Sequence, residues 1–213
     1  MKTYPLQLRF LLPGLAISLL ALGQSRPLFA GQTFAGWEGD TNRTWRIVDG
    51  AFVGGSLERT IPRNEFLATH QSFTNFVLKL KFKLVGTEGF VNAGVQIRSV
   101  RTEDPPNEMR GYQADIGEGW WGALYDESRR NTVLVKPDPA DVQRALKPGD
   151  WNEYVIRCED RRIRTWINGV PMIDYTEPDP AIPQQGHIGL QIHGGAKALV
   201  SYKDITLEQL PAP

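Results

Sequence analysis

One cysteine, Cys158, is all the chain has in 213 residues. No internal disulfide can form, so an exported fold has to be held by its core alone. Cys158 shares strand parity with Tyr154 and Ile156, which reads as a buried apolar residue rather than a reactive thiol. Excess charge is missing too. Lys plus Arg and Asp plus Glu are both 24, for a formal net charge of zero. This removes the footprint of a nucleic-acid binder and of a polybasic membrane-surface protein. A neutral surface that still recognises something polar suits an uncharged partner such as a carbohydrate. Long helical periodicity, internal repeats and an internal linker are also absent, so residues 31–213 read as one domain.

The N-terminus is a separate case. Lys2 and Arg9 precede the apolar run FLLPGLAISLLALG (10–23), the pattern of a secretory signal. The run is short for a membrane-spanning helix, which needs about 20 residues. Cleavage is expected after Gly23 or after Ala30. Residues 1–30 are set apart on that basis, with an uncleaved anchor as the alternative. The expectation is an exported protein, periplasmic or extracellular, with no membrane contact beyond the signal segment.

What remains reads as strands. In 75–85, Phe76, Leu78, Leu80, Phe82 and Leu84 share one face and Lys79, Lys81 and Lys83 the other, as in an antiparallel strand with one wet side. Residues 151–175 read as two successive hairpins, and Asn168-Gly169 is a strong two-residue turn. Further strands are expected near 44–54, 65–73, 90–99, 110–117, 186–195 and 198–210. Many short antiparallel strands make an all-β fold, a two-sheet sandwich of jelly-roll type.

Strand parity then separates a core face from a polar one. Val95 and Ile97 oppose Gly94, Gln96 and Arg98; Tyr112 and Ala114 oppose Gln113 and Asp115. Ile163 and Ile167 oppose Trp166, and Leu190 and Ile192 oppose Gly189, Gln191 and His193. A solvated outer face is the plain alternative. Yet planar hydrogen-bonding groups, a Trp and a His differ from the Lys-rich strand. They are the groups that grip sugar hydroxyls and the apolar face of a sugar ring. The stretch GYQADIGEGWWGALYDESRR (111–130) adds Glu118, Trp120 and Trp121 beside this face. Asp126, Glu127, Arg129 and Arg130 suit a rim loop held by ion pairs.

Glucanases of the laminarinase and lichenase type carry Glu-x-Asp-x-x-Glu on one strand. The corresponding run in this chain is Gln113, Asp115, Glu118, without the first carboxylate. A retaining hydrolase needs two carboxyl groups about 5 to 5.5 Å apart. Ordinary retaining hydrolysis at this motif is therefore not expected.

Taken together, NAGVQIRS, the 111–130 stretch, KPGDWNEYVIRCEDRRIRTWINGV, GHIGLQIHGG and YKDITLEQL resemble the bacterial 3-keto-disaccharide hydrolase domain over roughly 31–210. The resemblance implies a concanavalin A-like jelly roll that cleaves glycosides oxidised to a ketone at C3. A sugar 3-oxidoreductase would supply the substrate. The ketone acidifies the C2 proton, so cleavage proceeds by elimination and hydration, without a glycosyl-enzyme. That chemistry needs a base, a stabiliser of enolate charge and an acid. The expected roles are Asp115 or His193 as base, Arg98 as enolate stabiliser and Glu118 as acid. Gln96, Gln113, Trp121, Trp166 and Gln191 are expected to position the sugar. A divalent metal on Asp115, Glu118 and His193 is left open, since no short ligand spacing such as HExxH occurs. The competing readings are a lectin-like binding module, a hydrolase of an unoxidised glycan, and a structural or adhesion domain.

Overall fold

The structure is a computed structural model, and residues 24–211 are described. Its strands form two antiparallel sheets. The first runs in the order β13 (Val170–Thr176), β12 (Arg162–Ile167), β11 (Asn152–Glu159), β6 (Phe76–Gly89), β15 (Ala196–Gln209), β4 (Ala51–Ser56) and β3 (Trp45–Val48), with β1 (Arg26–Pro27) beside β15. The second runs β10 (Thr132–Val135), β9 (Leu124–Glu127), β8 (Met109–Gly117), β7 (Asn92–Arg101), β14 (Gly186–Ile192), β5 (Glu65–Phe73) and β2 (Trp37–Glu38). Among the described residues there is one helix, α1 (Pro139–Ala145), started by Asp138, whose carboxylate accepts from the Ala140 amide.

The period-2 patterns produce this sandwich directly. Phe76, Leu78, Leu80, Phe82 and Leu84 of β6 are buried against Val95, Ile97, Ala114, Ile188 and Leu190 of the second sheet, and the three lysines look outward. Each such large apolar side chain contributes about 1.5–3 kcal/mol on burial. Asn168 and Gly169 both take positive φ, 50° and 81°, which gives the β12–β13 hairpin the twist its strands require. Cys158 is buried, and burial pushes its thiol up to about 12. Tyr202 of β15 crosses the core, and its hydroxyl lies 2.9 Å and 3.0 Å from the Gly94 and Gln191 carbonyl oxygens of the second sheet, which share its one proton.

Four features differ from the sequence reading. β12 lies in the first sheet, so Trp166 sits on the opposite side of the molecule from Gln113 and Asp115. In β7 the pairing slips between Ile97 and Val100, with Arg98 at φ 50°. A bulge residue reverses the parity that follows it, and Arg98 turns away from the polar face. The expected rim loop is the turn between two short strands, β9 and β10, and its Asp126 and Glu127 belong to β9. Finally, packing reaches back before residue 31. Phe29 stacks on Phe52 with ring centroids 3.6 Å apart, and the Leu28 amide bonds the Ile205 carbonyl. The expected signal run at 10–23 lies outside the described residues.

Candidate functional site

Register places the polar residues in rows across the second sheet. Asp115 of β8 stands opposite Gly94 of β7, which stands opposite Gln191 of β14 and then Phe66 of β5. One row along come Tyr125 of β9, Gln113, Gln96 and Gly189. The glycines clear no room for a ligand. A Cβ on Gly94 would meet Gln113 Cγ at 2.7 Å, and one on Gly189 would meet the Met109 sulfur at 2.6 Å. Protein side chains fill both places, so Gln113 lies flat across β7.

That packing builds a directed chain of hydrogen bonds. Ser99 Oγ donates to Gln96 Oε1 (2.6 Å), Gln96 Nε2 to Gln113 Oε1 (3.2 Å), and Gln113 Nε2 to Asp115 Oδ1 (2.8 Å). Every donor points toward Asp115, and successive bonds polarise one another. The other oxygen, Asp115 Oδ2, is buried without a partner. Burial, offset in part by the Gln113 bond, pushes this carboxyl up from 3.8 to about 8. At neutral pH it is therefore mostly an acid rather than an anion.

Asp115 lines a cavity of about 190 Å³ whose other walls include Asn92, Gln113, Tyr125, Glu127 and His193, closed by Phe90 and Trp120. Glu127 is pushed up to about 7, first by burial and then by the charge of Glu108. The His193 ring packs edge-on to Phe90 at 4.8 Å, and Nδ1 lies 2.6 Å from the Gly194 carbonyl oxygen. A carbonyl only accepts, so Nδ1 carries the proton and Nε2 of the neutral ring is a free acceptor. The cavity thus holds one imidazole base and two carboxyls that ionise near neutrality. Such an arrangement can move protons to and from an uncharged substrate.

Asp115, Gln113 and His193 meet at this cavity. Gln96 lies behind it as a fully buried support of Gln113. Gln191 is fully buried with neither end of its amide partnered. Glu118 is exposed and reaches Trp121 Nε1 at 3.4 Å in a neighbouring hollow, and Trp121 packs against Phe82 of the core. Arg98 is a structural tie between sheets. It donates to the Thr74 and Asp160 carbonyls, Gln184 Oε1 and Asn75 Oδ1. Burial lowers its pKa. Trp166 is absent from this side. Among the described residues, no three His, Cys, Asp or Glu side chains stand together as a metal site, so Asp115, Glu118 and His193 do not form one.

Glu127, Tyr125, Asn92 and Phe90 were not singled out as site residues by the sequence, and Trp120 was placed only beside the polar face. The signal for the first two is the alternation within β9, where Leu124 and Asp126 point inward and Tyr125 and Glu127 outward. A charged inward residue hides that alternation. Asp126 is fully buried and bonds Arg129 and Arg130, and Arg130 also holds Glu177. Against the cost of its burial, Arg130 and Tyr112 keep Glu177 at about 2.

The fold is a two-sheet concanavalin-like jelly roll with titratable side chains in a cavity on the outward face of one sheet. The 3-keto-alpha-glucoside-1,2-lyase-like domain family matches residues 24–208, and the chain belongs to that family. Among solved structures, it is similar to a protein named as a candidate glycosyl hydrolase from Parabacteroides distasonis. The identity is 23%, coverage is 88% of this chain and 100% of that one, and the TM-score is 0.63. It is also similar to carbohydrate binding module CBM66 from Bacillus subtilis (15% identity, 82% and 96% coverage, TM-score 0.61). A third is a β-1,3-1,4-glucanase (lichenase) from a mouse hindgut metagenome (11%, 87% and 98%, TM-score 0.52). At these identities the likeness is one of fold. No curated protein sequence matches the chain.

Proposed function

We propose that the protein cleaves the glycosidic bond of 3-keto-glycosides, by elimination across C1–C2 followed by hydration. The carrying observation is a cavity that joins a free imidazole nitrogen to a carboxyl held neutral by burial. His193 Nε2 takes the C2 proton. Charge then develops on the C3 oxygen, and protonated Asp115 donates a hydrogen bond to it. A carboxylic acid kept neutral at pH 7 stabilises an enolate in this way in other active sites. Ser99, Gln96 and Gln113 hold that carboxyl in place. The C1–O bond breaks as the enolate collapses to a C1=C2 double bond. Glu127, which ionises at about 7, protonates the departing oxygen. Water added across C1=C2 then yields the free 3-keto sugar.

Arg98, bound by four backbone and side-chain acceptors, has no part in this assignment, and neither does exposed Glu118. The family supports a keto-glucoside substrate. The N-terminal pattern supports export, and an enzyme oxidising C3 has to act upstream. No step requires a metal.

The test incubates the purified chain with a 3-keto-disaccharide and its unoxidised parent, in ordinary water and in heavy water. Cleavage of the keto form alone, with deuterium entering at C2 and turnover lost in His193→Ala, is the expected result. Full turnover in both His193→Ala and Asp115→Asn would refute both catalytic roles. A second reading also rests on a specific observation: Asp115 and Glu127 line the same cavity and form a candidate acid–base pair for an unoxidised glycan. Cleavage of the parent sugar without exchange at C2 would favour it. Binding of either sugar without product would indicate a carbohydrate-binding module.

A further inference from the structure

Trp120 borders two cavities. Its ring meets Phe90 and Tyr125 edge-on at 6.4 Å and 5.8 Å, both of them walls of the cavity that holds Asp115. It also lines a second hollow of about 560 Å³, between the 118–123 loop and the segment that carries α1. Cavities that bind small molecules are commonly about 300–1,000 Å³. The first cavity falls short of that range alone, and the second lies within it. The two share Trp120 as a wall, so a leaving group that passes Trp120 from the first enters the second.

The lining identifies the chemistry of that group. Trp120, Trp121, Pro137, Pro139, Val142 and Leu146 supply flat and apolar surface. Two of the polar groups at the rim already have a partner. Lys136 Nζ donates to the Gly119 carbonyl at 3.1 Å and lies 4.7 Å from the Trp120 ring centre, and Glu118 accepts from Trp121 Nε1. A second sugar needs several convergent hydrogen-bonding groups to place its hydroxyls, and the walls of this hollow are mainly apolar. A planar apolar group needs only the two indoles and the prolines.

We infer that the hollow between Trp120, Trp121 and α1 is an aglycone subsite for aromatic groups, so that aryl-bearing glycosides are better substrates than disaccharides. This rests on the keto-glycoside reading for its catalytic consequence, but not for binding. Benzyl and methyl 3-keto-glucosides separate the two questions, because their leaving alcohols are of similar acidity. The benzyl compound is expected to show a KM at least tenfold lower, with kcat within about twofold. Gln143, exposed on α1 at the edge of the hollow, offers a blocking change outside the core. Gln143→Trp should raise KM for the benzyl substrate about tenfold and narrow the gap between the two. Equal KM values, an unchanged gap in Gln143→Trp, or a lower KM for a 3-keto-disaccharide than for the benzyl glycoside would overturn the assignment. If no keto-glycoside is cleaved, the catalytic reading fails, and saturation-transfer NMR with unoxidised benzyl and methyl glucosides decides the subsite. Transfer to the benzyl ring protons that Gln143→Trp abolishes upholds it, and no transfer overturns it.

Discussion

Replacing Asp115 by Asn should make the protein's stability less sensitive to pH. Asp115 is 2% exposed and its carboxyl is pushed from 3.8 to about 8, mainly by burial. Between those values the folded chain keeps a proton that the unfolded chain has released. Stability therefore falls as pH rises through the window and levels off above about 8. Below pH 4 both states are protonated and the effect vanishes. Each pH unit inside the window costs about 1.4 kcal/mol, which gives a ceiling of roughly 6 kcal/mol at pH 9. Relaxation around the buried charge lowers that ceiling, so a fall of at least about 2 kcal/mol between pH 5 and pH 8 is the expected signal. Asn has the same shape, still accepts from Gln113, and binds no proton in either state. It leaves one amide nitrogen unpaired, a cost of about 1–3 kcal/mol that does not vary with pH. Urea unfolding of both proteins at pH 5, 7 and 9 isolates the difference, because Glu127 titrates in both. Asp115→Asn should gain on the parent steadily from pH 5 to pH 8. A difference that stays flat across that range would refute the claim that Asp115 is neutral in the folded protein.

Three other perturbations bear on the site and its frame. Gly94→Ala places a Cβ 2.7 Å from Gln113 Cγ. It should cost about 1–3 kcal/mol by overpacking, and break the bond to Asp115 so that turnover falls further than stability; denaturant melts and rate assays on one preparation check both. Trp166→Ala, on the first sheet, should leave kcat/KM within twofold and cost about 1 kcal/mol or less; a tenfold loss of activity would put Trp166 back at the site. Arg98→Met removes four hydrogen bonds at a buried position and should destabilise by at least about 3 kcal/mol, read as the urea midpoint. Its activity per folded molecule should be unaffected.

Strand alternation made most of the sandwich legible, because the core lies between two sheets and each strand buries every second residue. The strand expected at 65–73 is β5 to the residue, and the lysine face of β6 looks outward as its pattern requires. Parity also grouped Gln96, Gln113 and Asp115 on one face. What parity cannot give is the sheet to which a strand belongs. Ile163, Thr165 and Ile167 bury as expected, yet they do so from the opposite layer, and Trp166 goes with them. Nor does it announce a bulge, which is why Arg98 lies on the other side from the one its parity indicates. The strand β9 was hidden by electrostatics: Asp126 occupies a core-facing position only because Arg129 and Arg130, further along the chain, neutralise it there. Glu127 became visible as a cavity wall once that inward carboxylate was accounted for.

The one-way order of the Ser99–Gln96–Gln113–Asp115 chain has a consequence for proton traffic. Amide groups donate hydrogen bonds but do not carry protons between solvent and a carboxyl, and each donor in the chain faces Asp115. The acid can therefore recharge or discharge only through the mouth of the cavity. On the keto-glycoside reading, a sugar that fills the mouth would seal in whichever protonation state it met on arrival. The acidity of the medium then decides which molecules are ready to bind, more than how fast a bound complex turns over. On that reading its effect belongs to kcat/KM, the quantity that reports the unliganded protein.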